Sequence, residues 1–193
     1  MASRLGTLGH QEVWRFGNKE IVYVVTGSFF YAVLFWILKT WPVSFPAGNL
    51  TLNVSPAIAI PIFLGLLFGP IVGGLTGLIG QALGGIVSAS GFSWPWVIAV
   101  GLVGLIAGLA VYVVRQYKTV NDYLKGGLFI LLGCWAGAAF GALVGEVLIL
   151  KQGDMAAGTT KLLSQGLTYT LNGIILAPIL IYLWNLYHAG EKN

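Results

Sequence analysis

Glu146 interrupts an otherwise apolar run, LLGCWAGAAFGALVGEVLIL (131–150). An ionisable side chain inside such a run is costly in lipid and points to function. Lys151 and Lys161 lie close enough in sequence to neutralise it. Glu146 could therefore contact a ligand or gate a pocket, form a structural ion pair, or relay a proton. Gln81 is the only amide in GLTGLIGQALGGIVS (74–88) and needs partners, either a facing helix or a polar cavity. Gln165, Thr168 and Asn172, spaced three and four apart beside Tyr169, place one polar face along a helix. That face either lines a cavity or hydrogen-bonds a neighbouring helix. The indoles of Trp94 and Trp96 flank Pro95 and could stack on a flat ring, although tryptophan also gathers at membrane interfaces as an anchor. Trp135 sits deeper and needs a partner for its N–H.

The elements that must position these groups are membrane helices. Of 193 residues 57% are hydrophobic and 8% charged, with mean hydropathy +0.86, against the roughly 25% charged residues of soluble domains. Apolar runs fall at about 20–39, 56–68, 70–89, 96–115, 125–150 and 162–186, which gives an all-α, compact bundle of six transmembrane helices. Gly69-Pro70 reads as a tight turn between the second and third, and Pro61 predicts a bend in the short second run. With both termini cytoplasmic, Arg4, Arg15, Lys19, Arg115, Lys118, Lys125 and Lys192 lie inside, against Lys39, Lys151 and Lys161 outside. That satisfies the positive-inside bias. The chain then divides into a cytoplasmic segment 1–19, a membrane domain 20–187 and a tail 188–193. The polar first twenty residues lack the apolar core of a cleaved signal, so the first span is expected to direct insertion.

Glycine is the packing residue. Gly73, Gly77, Gly80 and Gly84 step by four, three and four along the third helix, Gly133, Gly137, Gly141 and Gly145 by four along the fifth, and Gly101, Gly104 and Gly108 serve the fourth. Such faces let helices three, four and five approach closely in lipid. Ser28 and Ala32 form another four-spaced small pair on the first helix, a groove for a partner helix or a contact within the bundle. Function should concentrate on the outer loops 40–56, 88–96 and 151–161. In the first of these Asn49, Thr51, Asn53 and Ser55 alternate with other residues, a pattern for a short extended lid over the bundle mouth.

Several activities lack their residues. No GxxxxGK[ST] loop, HExxH or GxSxG is present, and His10 and His188 are terminal, so catalysis and nucleotide hydrolysis are unsupported. The single cysteine, Cys134, excludes an internal disulfide and a cysteine-based metal site; it reads as packing, and no cofactor is implied. The ten Lys and Arg are scattered between spans, which argues against nucleic acid despite the net charge of +4.

The order IPIFLGLLFG, then PIVGGLTGLIGQALGGIVS, then GFSWPWVIAVGLVGLIAGL, in a six-helix frame, resembles the S components of energy-coupling factor (ECF) vitamin transporters, in particular the riboflavin-type branch. The resemblance covers about 20–115 best. It implies a plasma-membrane subunit that binds a small-molecule vitamin or related micronutrient, riboflavin favoured, at its outer face. It also implies docking on a transmembrane coupling subunit with two cytoplasmic ATPases, through small residues for which Ser28 and Ala32 match the spacing. Asn49, Asn53, Gln81, Trp94, Trp96, Trp135, Glu146, Lys151, Gln165, Tyr169 and Asn172 are the candidate substrate contacts. Two other classes remain: an ion-coupled secondary transporter with Glu146 as coupling carboxylate, and a nontransporting membrane scaffold.

Overall fold

The structure is a computed structural model that describes residues 17–88 and 91–190. Six helices follow in order: α1 (Asn18–Thr40), α2 (Ala59–Phe68), α3 (Pro70–Val87), α4 (Trp94–Gly108), α5 (Val120–Ala139) and α6 (Met155–Gly190). Between α1 and α2 lies a two-stranded antiparallel hairpin, β1 (Ser44–Ala47) and β2 (Leu50–Asn53), with Ser44 opposite Asn53 and Ala47 opposite Leu50. Five helical stretches are long and apolar enough to cross a membrane; the 13-residue stretch Pro56–Phe68 is apolar but shorter. The six-helix bundle read from the sequence is therefore present, with a small hairpin added. Arg4, Arg15, Lys192, His10 and Trp14 lie outside the described residues.

The turn between α2 and α3 is as expected. Gly69 has φ +98°, a conformation costly to any residue with a Cβ, and Pro70 opens α3 where its missing N–H is not needed. Pro61 does not bend a helix interior. A 3₁₀ turn at Pro56–Ile58 leads into α2 at Ala59, so Pro61 falls in the first turn, where backbone N–H groups lack acceptors anyway.

Two helices start earlier than hydropathy indicates, and in both cases a cap is the cause. Thr119 and Asp122 form a capping box, with the Asp122 carboxylate 2.9 Å from Thr119 N, which starts α5 at Val120. Asp154 accepts from Ala157 N at 2.8 Å and starts α6 at Met155. Beyond Ala139 α5 widens into a π-helix, Phe140–Ile149, with Leu150 N bonded to Gly145 O five residues back. Nothing in the sequence signals that change.

Helix α4 packs against α3, α5 and α2, while α1 lies on α3 and α6 on α5 and α2. At the α3–α4 contact the backbones touch: a methyl group at Gly73 or Gly77 would collide with the carbonyls of Gly104 and Val100. Gly133 similarly leaves only 2.8 Å between a would-be Cβ and Val103 O. The buried core between these helices includes Ile62, Leu66, Val100, Val103, Ile130 and the sulfur of Cys134. Large apolar side chains on α1, among them Val22, Val25, Phe29 and Phe30, face outward as a lipid-contacting surface requires. Ser28 does not: it is 1% exposed and donates to Thr76 O at 3.4 Å, so its side chain is used inside the bundle. Ala32 is half-buried.

Gly77→Leu should abolish recovery of monodisperse protein in detergent, whereas Gly127→Ala, whose new methyl meets no neighbouring element within 4 Å, should leave size-exclusion behaviour unchanged and should not lower the melting temperature. Gly77→Ala should lower stability by roughly 1–3 kcal/mol, the usual range for overpacking, measured by thermal unfolding. A normal melting curve for Gly77→Leu would contradict the packing described.

Candidate functional site

The hairpin end of the bundle holds a cavity of about 710 Å³, within the ~300–1,000 Å³ of small-molecule sites. Its existence follows from the shortness of α2. Thirteen helical residues reach only about 20 Å of the roughly 30 Å hydrocarbon core. The chain entering α2 must therefore dip into the bundle as β2 and the following segment, leaving space above α2 between α1, α3, α4, α5 and α6.

Non-helical backbone at that depth needs internal partners. Helix α6 supplies them from one face. Thr51 N donates to Ser164 Oγ at 3.4 Å, Asn53 N to Thr168 Oγ1 at 3.2 Å, and Ser55 N to Asn172 Oδ1 at 3.0 Å. Asn172 Nδ2 returns bonds to Asn53 O and Thr168 O. Alternate residues of an extended segment thus meet side chains four apart on a helix. The expected short extended segment exists as a hairpin, and the polar face of α6 is in part the rail that holds it.

The walls are aromatic and are seated on glycine. Tyr31 and Phe35 of α1 stack on each other, with centroids 6.0 Å apart, and lie over Gly80 and Gly84 of α3, where a methyl would come within 2.8 Å of each. Trp96 lies over Gly141 at the same spacing, and Pro95 occupies the place a Cβ at Gly145 would take. The glycine stripes of α3 and α5 therefore split in function. Their lower halves bring backbones together; their upper halves, Gly80 and Gly84 on α3 and Gly141 and Gly145 on α5, make room for the rings and the proline that form the cavity.

The polar groups are fixed in two clusters. Tyr31 OH donates to Gln81 Oε1 at 2.6 Å, which leaves the amide NH₂ of this 9% exposed residue to face the cavity. Tyr169 lines the same region. On the opposite wall Glu146, 8% exposed on the π-helix, accepts from Trp96 Nε1 at 2.7 Å and from Lys161 Nζ at 2.5 Å. Lys161, and not Lys151, is its counter-ion. Lys151 is exposed in the α5–α6 connection at φ +54°.

Of the residues anticipated from sequence, Asn53, Gln81, Trp94, Trp96, Glu146, Gln165 and Tyr169 line the cavity. Asn49, Trp135, Lys151 and Asn172 do not. Asn49 is exposed in the hairpin turn. Trp135 packs on α6, where a Cβ at Gly166 would meet its ring at 3.1 Å. Asn172 spends its amide on the strand backbone. Tyr31, Phe35, Lys39 and Phe92 line the cavity without having been singled out. The four-residue step from Tyr31 to Phe35, matching Gly80 and Gly84, was the legible signal for two of them.

A multi-pass membrane bundle with an aromatic-walled cavity at one end has the architecture that a solute-binding transport subunit requires. Over residues 18–188 the sequence matches the family described as the ECF-type riboflavin transporter, S component, and the chain belongs to that family. It is therefore a protein of the plasma membrane, and S components work with a membrane T component and ATPases. A UPF0397 protein of Streptococcus pneumoniae strain CGSP14 is 31% identical over 183 residues, 92% of this chain and 96% of the relative. A UPF0397 protein of strain ATCC BAA-255 / R6 matches at the same identity and coverage. Among solved structures, the S component for biotin from an ECF-type ABC transporter superposes with TM-score 0.57 at 16% identity, covering 89% of this chain and 95% of that one. The S component of a bacterial ECF transporter gives 0.54 at 17%, covering 91% and 98%. At these identities the likeness to the solved structures is one of fold.

Asn172→Ala removes the deepest hairpin anchor. Each lost bond is worth about 1 kcal/mol, so amide exchange at Ser55 should accelerate about five- to tenfold with the helices unaffected. Ser164→Ala should act less, at Thr51 alone. Unchanged protection of Ser55 in Asn172→Ala would show that the rail does not hold the strand.

Proposed function

We propose that this chain captures a vitamin or related micronutrient with a flat heteroaromatic ring, riboflavin favoured, in the cavity beneath the hairpin. The cargo is then delivered through a transmembrane coupling subunit driven by two cytoplasmic ATPases. The observation that carries this reading is the preorganised wall: Trp96 is fixed at its edge by Glu146 and on one face by Gly141, so a planar ring meets an aromatic surface that is already ordered. The family description supports the flavin. Gln81 and Gln165 offer hydrogen bonds to its polar edge.

The orientation proposed places the hairpin end outside and both termini in the cytoplasm. Among the described residues Lys19, Arg115, Lys118 and Lys125 then lie inside, against Lys39, Lys151 and Lys161 outside. Docking of the coupling subunit is proposed on α1, on the strip that includes Ala32 and the exposed Val25 and Phe29, since the Ser28 side chain is turned inward.

The test is retention of vitamins by the purified protein, by native mass spectrometry and titration. A flavin should be retained, and Trp94→Ala should weaken it roughly two- to tenfold, as loss of one ring contact worth about 0.5–1.5 kcal/mol implies. Trp41→Ala, which alters an exposed tryptophan outside the cavity, should not. Failure to bind any vitamin would sink the reading, and uptake by this chain alone under an ion gradient would replace it with secondary transport.

A further inference from the structure

The ionisable groups of the cavity do not balance. Three line it: Lys39, Glu146 and Lys161. Both oxygens of Glu146 are committed, one to Lys161 and one to the Trp96 indole, so that pair is neutral. Lys39 has no such partner among the described residues; its ammonium lies 5.4 Å from the centroid of the Phe35 ring, against the same aromatic wall. The remaining described carboxylates are engaged elsewhere. Asp154 caps α6 and does not line the cavity, Glu20 accepts from Gly17 N at the start of α1, and Asp122 caps α5.

An ammonium at an open mouth is hydrated, and its charge costs little. Lys39 is exposed at the cavity rim, so a solute filling the cavity brings its own groups within reach of an ammonium that no protein carboxylate neutralises. A solute that brings its own negative charge gains a charge-assisted hydrogen bond. At the other pole Gln81 imposes the opposite requirement. Its oxygen is taken by Tyr31, so its free NH₂ requires an acceptor.

Resting on the reading of this cavity as the vitamin site, we propose that the captured solute is an oxyanion-bearing heteroaromatic: a carboxylate or phosphate ester against Lys39, a flat ring on the aromatic wall, and a carbonyl or ring nitrogen toward Gln81. Within the flavins favoured above, this charge argument selects the 5′-phosphate ester of riboflavin over the neutral vitamin. Lys39 sets the specificity, while Lys161 serves Glu146.

The experiment uses ligand pairs that share a ring and differ in charge: riboflavin and riboflavin 5′-phosphate, pyridoxine and pyridoxine 5′-phosphate, nicotinamide and nicotinate. Each is titrated into the full chain in nanodiscs, as wild type, Lys39→Gln and Lys39→Arg. The anionic member of whichever pair binds should be favoured by about tenfold, the scale of one charge-assisted bond. Lys39→Gln should erase that ratio by weakening the anionic member to the level of the neutral one, and Lys39→Arg should keep it. The phosphate and carboxylate pairs tell which oxyanion is read. Binding of the neutral member as tightly as the anion, or a preference that survives Lys39→Gln, overturns the proposal and leaves vitamin capture standing, with Lys39 an interfacial lysine only. Retention of no member of any pair overturns the proposal too, and the wider vitamin panel then decides whether vitamin capture falls with it.

Discussion

A backbone N–H buried at membrane depth must find an acceptor within the protein, and that requirement organises the hairpin end of this molecule. Because α2 is too short to cross the bilayer, residues 51–55 descend without helical bonds of their own. Helix α6 answers with Ser164, Thr168 and Asn172, at four-residue spacing, each accepting from every second residue of the strand. The cavity, its roof and the polar face of α6 are three consequences of one short helix.

Glycine solves the complementary problem of volume. In lipid the helices gain little from apolar burial against one another, so contact depends on close approach. Gly73, Gly77 and Gly133 provide it in the lower half of the bundle, where backbone meets backbone. The same stripes continue upward, but Gly80, Gly84 and Gly141 there accept aromatic rings from neighbouring helices. One repeated residue thus produces a dense base and a ring-lined mouth, according to what the facing helix presents.

The helices and the turn at Gly69 were legible because hydropathy, proline and glycine act locally. Glu146, Gln81 and Trp96 were legible as residues in need of partners, because polar groups and indoles within apolar runs need them wherever the chain goes. Which partner each takes was not legible. The choice of Lys161 over Lys151 depends on α6 starting at Met155 and on the π-helical turn that carries Glu146, and neither leaves a periodic trace. Asn172 was named among the candidate contacts, and the structure has its amide on the 53–55 backbone. A polar helical face looks the same in sequence whether it meets a ligand or a strand backbone.

The parts of the site differ in how firmly they are held, and the difference sets where it can open. The walls belong to helices locked by glycine contacts and by the Tyr31–Gln81 and Glu146–Trp96–Lys161 bonds. Among the described residues, the hydrogen bonds that join the roof to α6 are neutral bonds to its backbone, each worth about 1 kcal/mol net. Those bonds weaken along the hairpin: Asn172 makes two to the strand at its deep end, Thr168 one at 3.2 Å, and Ser164 one at 3.4 Å near the exposed turn. Any opening of the hairpin should therefore begin at the Gly48–Asn49 turn and proceed inward toward Ser55. A strand lifting from its tip while its base stays attached would widen the mouth of the cavity without exposing to lipid the deepest N–H groups, those held by Asn172.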